Sequence, residues 1–365
     1  MRITVTGCGN GAFATAADLS AQGHEITLYS DPTHSHNFEE LFKTGVIRGY
    51  GVGPTGDISI HKITCDEEDA YRDPDLIIVS APAYAHEDIA MKMAPYLRDG
   101  EMILLSPGGT GGALIFSEIL EKHSDAKGLR IGEFHTLPYT ARKKGNDGVN
   151  ILLMVKFLMF AAFPAIYSEE MYEVVKKLYP ATVLAQDVLE TSLNNGNVTT
   201  HPAPVILNAG KIEYYGHHDH YREGITPSVA KVVQKIDDER KAICRSFGYY
   251  ELDIVDRLVY MGYVPRRDTL YECIQDSTDV FIPVKGPNKL TDRYLTEDTR
   301  SGLVFMSSIA GVSNVEVPLM DSVITLATGL MDENYRETGR TVDKVGLGGM
   351  DPDEIKQYLR TGEKA

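Results

Sequence analysis

Residues 2–30 read RITVTGCGNGAFATAADLSAQGHEITLYS, and this stretch decides the architecture of the first half of the chain. Arg2 to Thr6 is a short run rich in the β-branched residues that suit a pleated, half-buried surface. Gly7, Gly9 and Ala12 then form GxGxxA, and Phe13, Ala16, Ala17 and Ala21 recur at helical spacing before EITLYS resumes a strand pattern. Strand, turn, helix and strand make one βαβ unit. A glycine motif alone is weak, but lying between a strand and a helix it points to a dinucleotide. Gly7 permits the tight turn, Gly9 lets the backbone approach a pyrophosphate, and Ala12 allows close helix packing. The helix start, with Asn10 and Gly11, offers N–H groups and a partial positive charge to phosphates. The bland alternative is a tight turn with no ligand.

Moving outward, DLIIVSA at 75–81 and EMILLS at 101–106 read as further strands, with helical patterns over 86–97 and about 110–122. Strands alternating with helices predict a parallel, doubly wound sheet of the Rossmann type. In such sheets ligands gather at the carboxyl ends of strands, which makes Ala81 and Pro82 cofactor candidates. SPGGTGG at 106–112 either edges the same crevice or is a plain flexible turn. At the end of the second strand an acidic side chain favours NAD by accepting from the ribose 2′-OH. Here Ser30 stands where the acid is often found and Asp31 comes one position late, with no arginine beside them. NAD is favoured over NADP, and Asp31 also suits the cap of the next turn.

Beyond about residue 185 strand signals nearly vanish. Stretches such as VAKVVQKIDDERKAICRSFG repeat apolar residues at three and four residue spacing. The expected fold class is α/β, an N-terminal Rossmann-type doubly wound sheet over 1–185 with a C-terminal all-α domain over 186–365. The run ILLMVKFLMFAAFPAIY (151–167) contains Lys156 and Pro164 and is short for crossing ~30 Å of hydrocarbon, so it reads as a pair of buried strands. A formal net charge of −16 opposes attraction to nucleic acid or to an anionic membrane. Four scattered cysteines show neither metal nor disulfide spacing, and MRITVTG carries no secretory pattern; both fit a reducing cytoplasm. The oligomeric state is not encoded in these patterns, and a homodimer is compatible with them.

The second decisive stretch is SLNNGNVTTHPAP, 192–204. Pro202 and Pro204 suit the first turn of a helix and Gly210 its end, which makes His201 the residue before the helix. Hydride transfer to a carbonyl or imine needs a proton donor, and a histidine oriented by a carboxylate is a usual one. The helix dipole would lower the His201 pKa, and a carboxylate partner would raise it again. On spacing alone a lone histidine before proline is more often a cap or a packed side chain than a catalytic group. Asn194, Asn195 and Asn197 suit either substrate contacts or ordering of the turn. GHHDHYREG at 216–224 reads as a solvated interhelical loop rather than a metal site.

LNNGNVTTHPAPVILNAG resembles the signature of the opine dehydrogenase family, the octopine/nopaline dehydrogenases. GCGNGAFATAADL, EFHTLPYTAR, YREGITPSVAKVVQKIDDER and RYLTEDTRSGLV are similar to other segments of that family, so the resemblance spans nearly the whole chain. It implies an NAD(P)-dependent oxidoreductase that joins an amino acid to an α-keto acid such as pyruvate and reduces the resulting imine. It also implies a catalytic pair of His201 with Asp298. Arg142, in the matched Pro-Tyr-x-x-Arg segment, and Arg300 are candidate anchors for substrate carboxylates, and Asn197 is a candidate substrate contact. After Glu297-Asp298 the family usually carries a hydrophobic residue and proline, whereas this chain has Thr299 and Arg300. Two alternatives stand beside this reading: a hydroxy-acid or polyol-phosphate dehydrogenase on the same fold, and a catalytically idle NAD(H)-binding sensor.

Overall fold

In the computed structural model, which describes residues 1–277, 280–281 and 284–364, the chain divides into two compact units. The first comprises Met1–Gly108, Gly112–Val188 and Arg360–Gly362; the second comprises Gly109–Gly111, Leu189–Leu359 and Glu363–Ala365.

The first unit is built on an eight-stranded sheet and a four-stranded sheet. The strands in chain order are β1 (Arg2–Thr6), β2 (Glu25–Tyr29), β3 (Val46–Gly51), β4 (Gly56–Ser59), β5 (Lys62–Thr64), β6 (Leu76–Val79), β7 (Met102–Leu105), β8 (Arg130–Phe134), β9 (Tyr139–Lys144), β10 (Gly148–Met154), β11 (Leu158–Phe163) and β12 (Thr182–Leu184). The large sheet runs β12-β11-β8-β7-β6-β1-β2-β5, parallel throughout except where β11 meets β8. Its central strands are buried on both faces, as all four residues of β6 illustrate, which is why they read as continuous apolar runs rather than alternating ones. Strand order reverses at β1, flanked by β2 and β6, and this switch point is where a doubly wound sheet opens a crevice.

The small sheet, β4-β3-β10-β9, is not announced by the sequence pattern. Its strands carry glycines and charged residues, as in VIRGYG and YTARKK, so their apolar alternation is broken. It explains a feature of helix Asn10–Ala21: eight consecutive residues, Ala12 to Leu19, are buried. A helix buried all round needs cover on both sides, and this one packs on β2 and also on β9 and β10. Its alanines permit the close approach, and buried Asp18 accepts from the Tyr139 hydroxyl of β9 at 2.6 Å. The apolar run at 151–167 divides as expected into strands, β10 ending at Met154 and β11 buried along its whole length.

The second unit is helical. Its longest helix, Pro227–Ser246, is capped by the Thr226 hydroxyl accepting from Val229 N, and it buries Val229, Val233, Ile236, Arg240 and Ile243, spaced three and four apart. Pro202 and Pro204 do open a helix, Pro202–Leu207, but Gly210 does not end it. Asn208 breaks the chain there, its side chain bonding the Pro204 carbonyl at 2.8 Å, and Gly210 lies inside the next helix, Ala209–Tyr215. Among the described residues no helix is long and apolar enough to cross a membrane.

Candidate active site

The glycine turn lies at the switch point, between β1 and the helix Asn10–Ala21. Gly7 has φ +139°, and a Cβ there would sit 2.4 Å from the Ser80 carbonyl oxygen at the end of β6. Only glycine allows the two strand ends to come this close. Gly9 is the opposite case, because a Cβ there would meet nothing within 4 Å. It precedes a helix whose start has no side-chain cap, which leaves N–H groups and open space for an anion. Ala12 approaches Gly7 closely, and a Cβ on Gly11 would lie 2.6 Å from Ser80 Oγ. Asn10 turns away from the turn, its Oδ1 accepting from Lys143 N at 2.7 Å. Ala81 and Pro82, next to Ser80, are half-buried at the same edge. These residues fit a nicotinamide dinucleotide: the turn and helix start would hold its phosphates, and the cofactor would supply hydride.

At the end of β2, Ser30 is buried and Asp31 is partly exposed. Asp31 caps the next turn, accepting from Thr33 N at 2.8 Å, and its other oxygen takes Lys92 Nζ at 2.5 Å. The hydrogen bonds from Lys92 and Thr33 hold the carboxyl down at about 2, so it is ionised under all ordinary conditions. Lys92 comes from a separate helix, His86–Met93, and nothing in the local sequence around Asp31 announces it.

In the helical unit the distant acid and the histidine meet. His201 Nδ1 lies 2.8 Å from Asp298 Oδ2, across 97 residues of sequence. His201 Nε2 lies 3.1 Å from the Tyr221 hydroxyl. The Tyr294 ring stacks on the imidazole with centroids 3.8 Å apart and planes 4° apart, and His220 packs edge-on at 5.5 Å. His201 is therefore only 4% exposed, with both nitrogens engaged. It occupies the position before helix Pro202–Leu207 but makes no capping bond, because its side chain is committed to Asp298 and Tyr221.

Burial opposes charge on both members of the pair. It lowers the His201 pKa, helped by the positive charge of Arg293, and raises the Asp298 carboxyl to about 7 although Arg293 pulls it down. From the sequence, a carboxylate partner was expected to restore the histidine; loss of solvent proves the larger effect. Burial therefore disfavours the ion-paired form of His201 and Asp298 and favours the neutral one.

The mount beneath His201 is a buried polar network. Asn194 Oδ1 accepts from Arg240 Nη1 at 3.3 Å and Asn195 Nδ2 donates to Thr110 Oγ1 at 2.9 Å. These two amides order the turn, while Asn197 is exposed. Arg240 is held by Asp237 at 2.7 Å and by the Leu252 carbonyl, all without access to solvent. SPGGTGG is no plain flexible turn: Gly111 N donates to Ser192 Oγ at 2.8 Å and Arg340 Nη1 to the Thr110 carbonyl at 2.6 Å.

The other candidates fare differently. Arg300 is already occupied, its guanidinium gripping Glu333 at 2.6 and 2.7 Å, which gives the departure at Thr299-Arg300 a structural role. Arg142 is exposed on β9, where Nη1 donates to the Ala141 carbonyl at 2.8 Å. The loop 216–224 is not simply solvated: His217 is exposed, but His218 and His220 are buried, and His220 Nε2 donates to the Thr200 carbonyl at 2.9 Å. No group of three metal-binding side chains occurs among the described residues. Sequence reasoning missed Tyr221, Tyr294 and Arg293, although all three lie in segments that carry the family resemblance. Arg293 precedes Asp298 by five residues, which on a regular α-helix turns the two side chains about 140° apart. Here the helix Arg293–Glu297 passes into a π-helical stretch, Asp298–Leu303.

A family model described as the α-helical domain of NAD/NADP octopine/nopaline dehydrogenase matches residues 184–331, and one for ketopantoate reductase matches 3–150. An opine dehydrogenase of Arthrobacter sp. (strain 1C) is 34% identical over 346 residues, covering 95% of each chain. The chain belongs to the opine dehydrogenase family. As a member it is an NAD(P)-dependent oxidoreductase acting on CH–NH donors, with the Rossmann-type and all-α halves expected. Family structures agree in fold: octopine dehydrogenase with NADH and agmatine superposes with a TM-score of 0.80 at 21% identity, covering 100% of this chain and 99% of that one. Yersinopine dehydrogenase with NADP+ gives 0.72 at 16%, covering 99% and 98%.

Proposed function

We propose that this family member condenses the amino group of an amino acid with an α-keto acid of the pyruvate class, and that His201 and Asp298 manage the proton the reaction consumes. The observation that carries the assignment of roles is the buried 2.8 Å contact between His201 Nδ1 and Asp298. Reductive condensation uses one proton to remove the keto oxygen as water. A neutral buried acid that gives up its proton near pH 7 is matched to that task. The carboxyl of Asp298 holds the proton and fixes the imidazole, and His201 passes it on.

Both substrates carry carboxylates, so the site needs a cation. Arg293 is the arginine whose charge is felt by both members of the pair, and it takes that role in place of Arg300, which Glu333 already holds. NAD is the preferred cofactor, because ionised Asp31 accepts from a ribose 2′-OH and repels a 2′-phosphate. A cytoplasmic setting fits the four free cysteines.

The test is NADH oxidation by the purified chain with an α-keto acid alone, an amino acid alone, and both. Oxidation requires both, and the product is a secondary amine dicarboxylate identifiable by mass. Oxidation with keto acid alone would instead make the chain a hydroxy-acid dehydrogenase, and none with a broad panel would make it an idle sensor.

A further inference from the structure

One short element grips the His201 imidazole in two ways. Asp298 Oδ2 meets Nδ1 at 2.8 Å on the edge of the ring, and the Tyr294 ring lies flat against its face, with centroids 3.8 Å apart and planes 4° apart. Tyr294 and Asp298 are four residues apart, where the helix Arg293–Glu297 passes into the π-helical stretch Asp298–Leu303, so the two side chains leave neighbouring positions on one face. We propose that Tyr294 is a positioning residue for His201, its ring fixing the imidazole plane and stabilising the imidazole while it carries a proton; this rests on the proton-handling role assigned to His201.

Edge contacts alone do not fix a ring. Nδ1 is held by Asp298 and Nε2 lies 3.1 Å from the Tyr221 hydroxyl, but a ring held at two edge atoms still tilts about the line joining them. A flat contact on the face removes that tilt. It matters most when Nε2 exchanges Tyr221 for a reacting oxygen, because Asp298 then holds the edge alone. His220 and Tyr221 stand at 81° and 56° to the imidazole, so among the described rings the parallel face comes from Tyr294. Its backbone is anchored in turn, with Tyr294 N donating to Asp292 Oδ1 at 3.0 Å.

The stack also discriminates between the two protonation states of His201. Parallel rings with centroids this close leave little room for offset, and two neutral rings prefer an offset or an edge-on arrangement, since like quadrupoles repel face to face. A positive charge on one ring reverses the sign, because it then lies over the electron-rich face of the other. Burial and the charge of Arg293 both oppose a proton on the imidazole, while Asp292 works the other way. The other polar groups against the ring are Asp298, Tyr221 and His220, and burial keeps His220 itself neutral. Tyr294 therefore adds a stabilisation that is strongest while the proton is on His201, and it needs no proton of its own to do so.

Tyr294→Leu removes the ring, and Tyr294→Phe, the conservative variant, restores it without the hydroxyl. For each, kcat in the condensing direction, the KM of both substrates, the NADH dissociation constant and the thermal midpoint are measured, with His201 present and in the His201→Ala background. The expected result is a kcat lowered about tenfold by Tyr294→Leu, with KM and NADH affinity within about twofold of wild type, and most of that loss recovered by Tyr294→Phe. Beside His201→Ala, Tyr294→Leu should cost nothing more, because the ring acts through the imidazole. A loss that Tyr294→Phe does not recover assigns the effect to the hydroxyl and overturns the proposal. An equal loss with His201 already removed places the action of Tyr294 elsewhere and also overturns it, as does a Tyr294→Leu turnover within about twofold of wild type. These three outcomes leave the histidine role standing, whereas His201→Ala with full turnover removes that role and the tyrosine proposal with it. A Tyr294→Leu chain that loses thermal midpoint and NADH affinity along with turnover has a structural tyrosine, which overturns the proposal too.

Discussion

The two ends of this chemistry are encoded in opposite ways. The glycine turn is local: Gly7, Gly9 and Ala12 sit within six residues, and their spacing reflects one strand, one turn and one helix. The proposed proton site is assembled from His201, Tyr221, Arg293 and Asp298, spread over nearly a hundred residues and brought together by packing of the helical unit. A cofactor phosphate needs backbone N–H groups and empty space, which short sequence can specify. A proton acid tuned to neutrality needs burial, and burial is a property of the whole fold.

That contrast can be broken most forcefully at the acid. Asp298→Asn keeps the shape of the site but cannot hold the spare proton. Turnover in the condensing direction should fall about 10²–10⁴-fold. The raised Asp298 pKa of about 7 sets the sign of the pH dependence. Wild-type turnover is full below that value and falls as pH rises through it, because the proton is lost; the Asn variant should show no such fall. A pH–rate profile of both proteins checks it, and an unchanged alkaline limb in the variant would assign the titration elsewhere.

Next come two glycines of one motif that should fail differently. Gly7→Ala forces a side chain into the left-handed region and against the Ser80 carbonyl, destabilising the first unit by about 1–3 kcal/mol. Gly9→Ala meets open space and should leave unfolding unchanged while weakening NADH binding by about tenfold, or ~1.4 kcal/mol. Urea unfolding and NADH titration separate them; equal destabilisation by both would show that the turn has no specialised open position.

Among the arginines, Arg293→Ala should raise the KM of at least one substrate by about tenfold, the scale of one lost charge-assisted contact. Arg300→Ala, which removes a partly exposed pair with Glu333, should change stability by less than about 1 kcal/mol and KM hardly at all. The reverse pattern would return the anchor to Arg300. The smallest effect is expected at Asp31→Asn, which removes the charge that Lys92 and Thr33 hold ionised; NADP use relative to NAD should rise by about fivefold, roughly 1 kcal/mol, in steady-state assays with the two cofactors.

Much of the molecule is legible in its sequence. The doubly wound sheet shows in the alternation of β1, β6 and β7 with helices, and the helical second half in three and four residue spacing. The small sheet is hidden because glycine and charge interrupt the period of two in β3 and β9. His201 is visible because Pro202 and Pro204 mark the helix start directly after it, but its spacing alone favours a cap or a packed side chain; Asp298 is reached only through the family resemblance. Tyr221 and Arg293 stay hidden because both depend on π-helical turns, whose periodicity differs from the 3.6 that a sequence pattern assumes. Arg300 looks like an anchor because its partner, Glu333, lies 33 residues away.

Under the proposed function the glycine turn holds the cofactor and the His201 pair handles protons, as separable tasks. The most direct measurement is an NADH fluorescence titration of His201→Ala beside its turnover with both substrates. The expected result is a dissociation constant within about twofold of wild type together with turnover reduced by about 10²–10⁴-fold. A dissociation constant that weakens in parallel with turnover would contradict it.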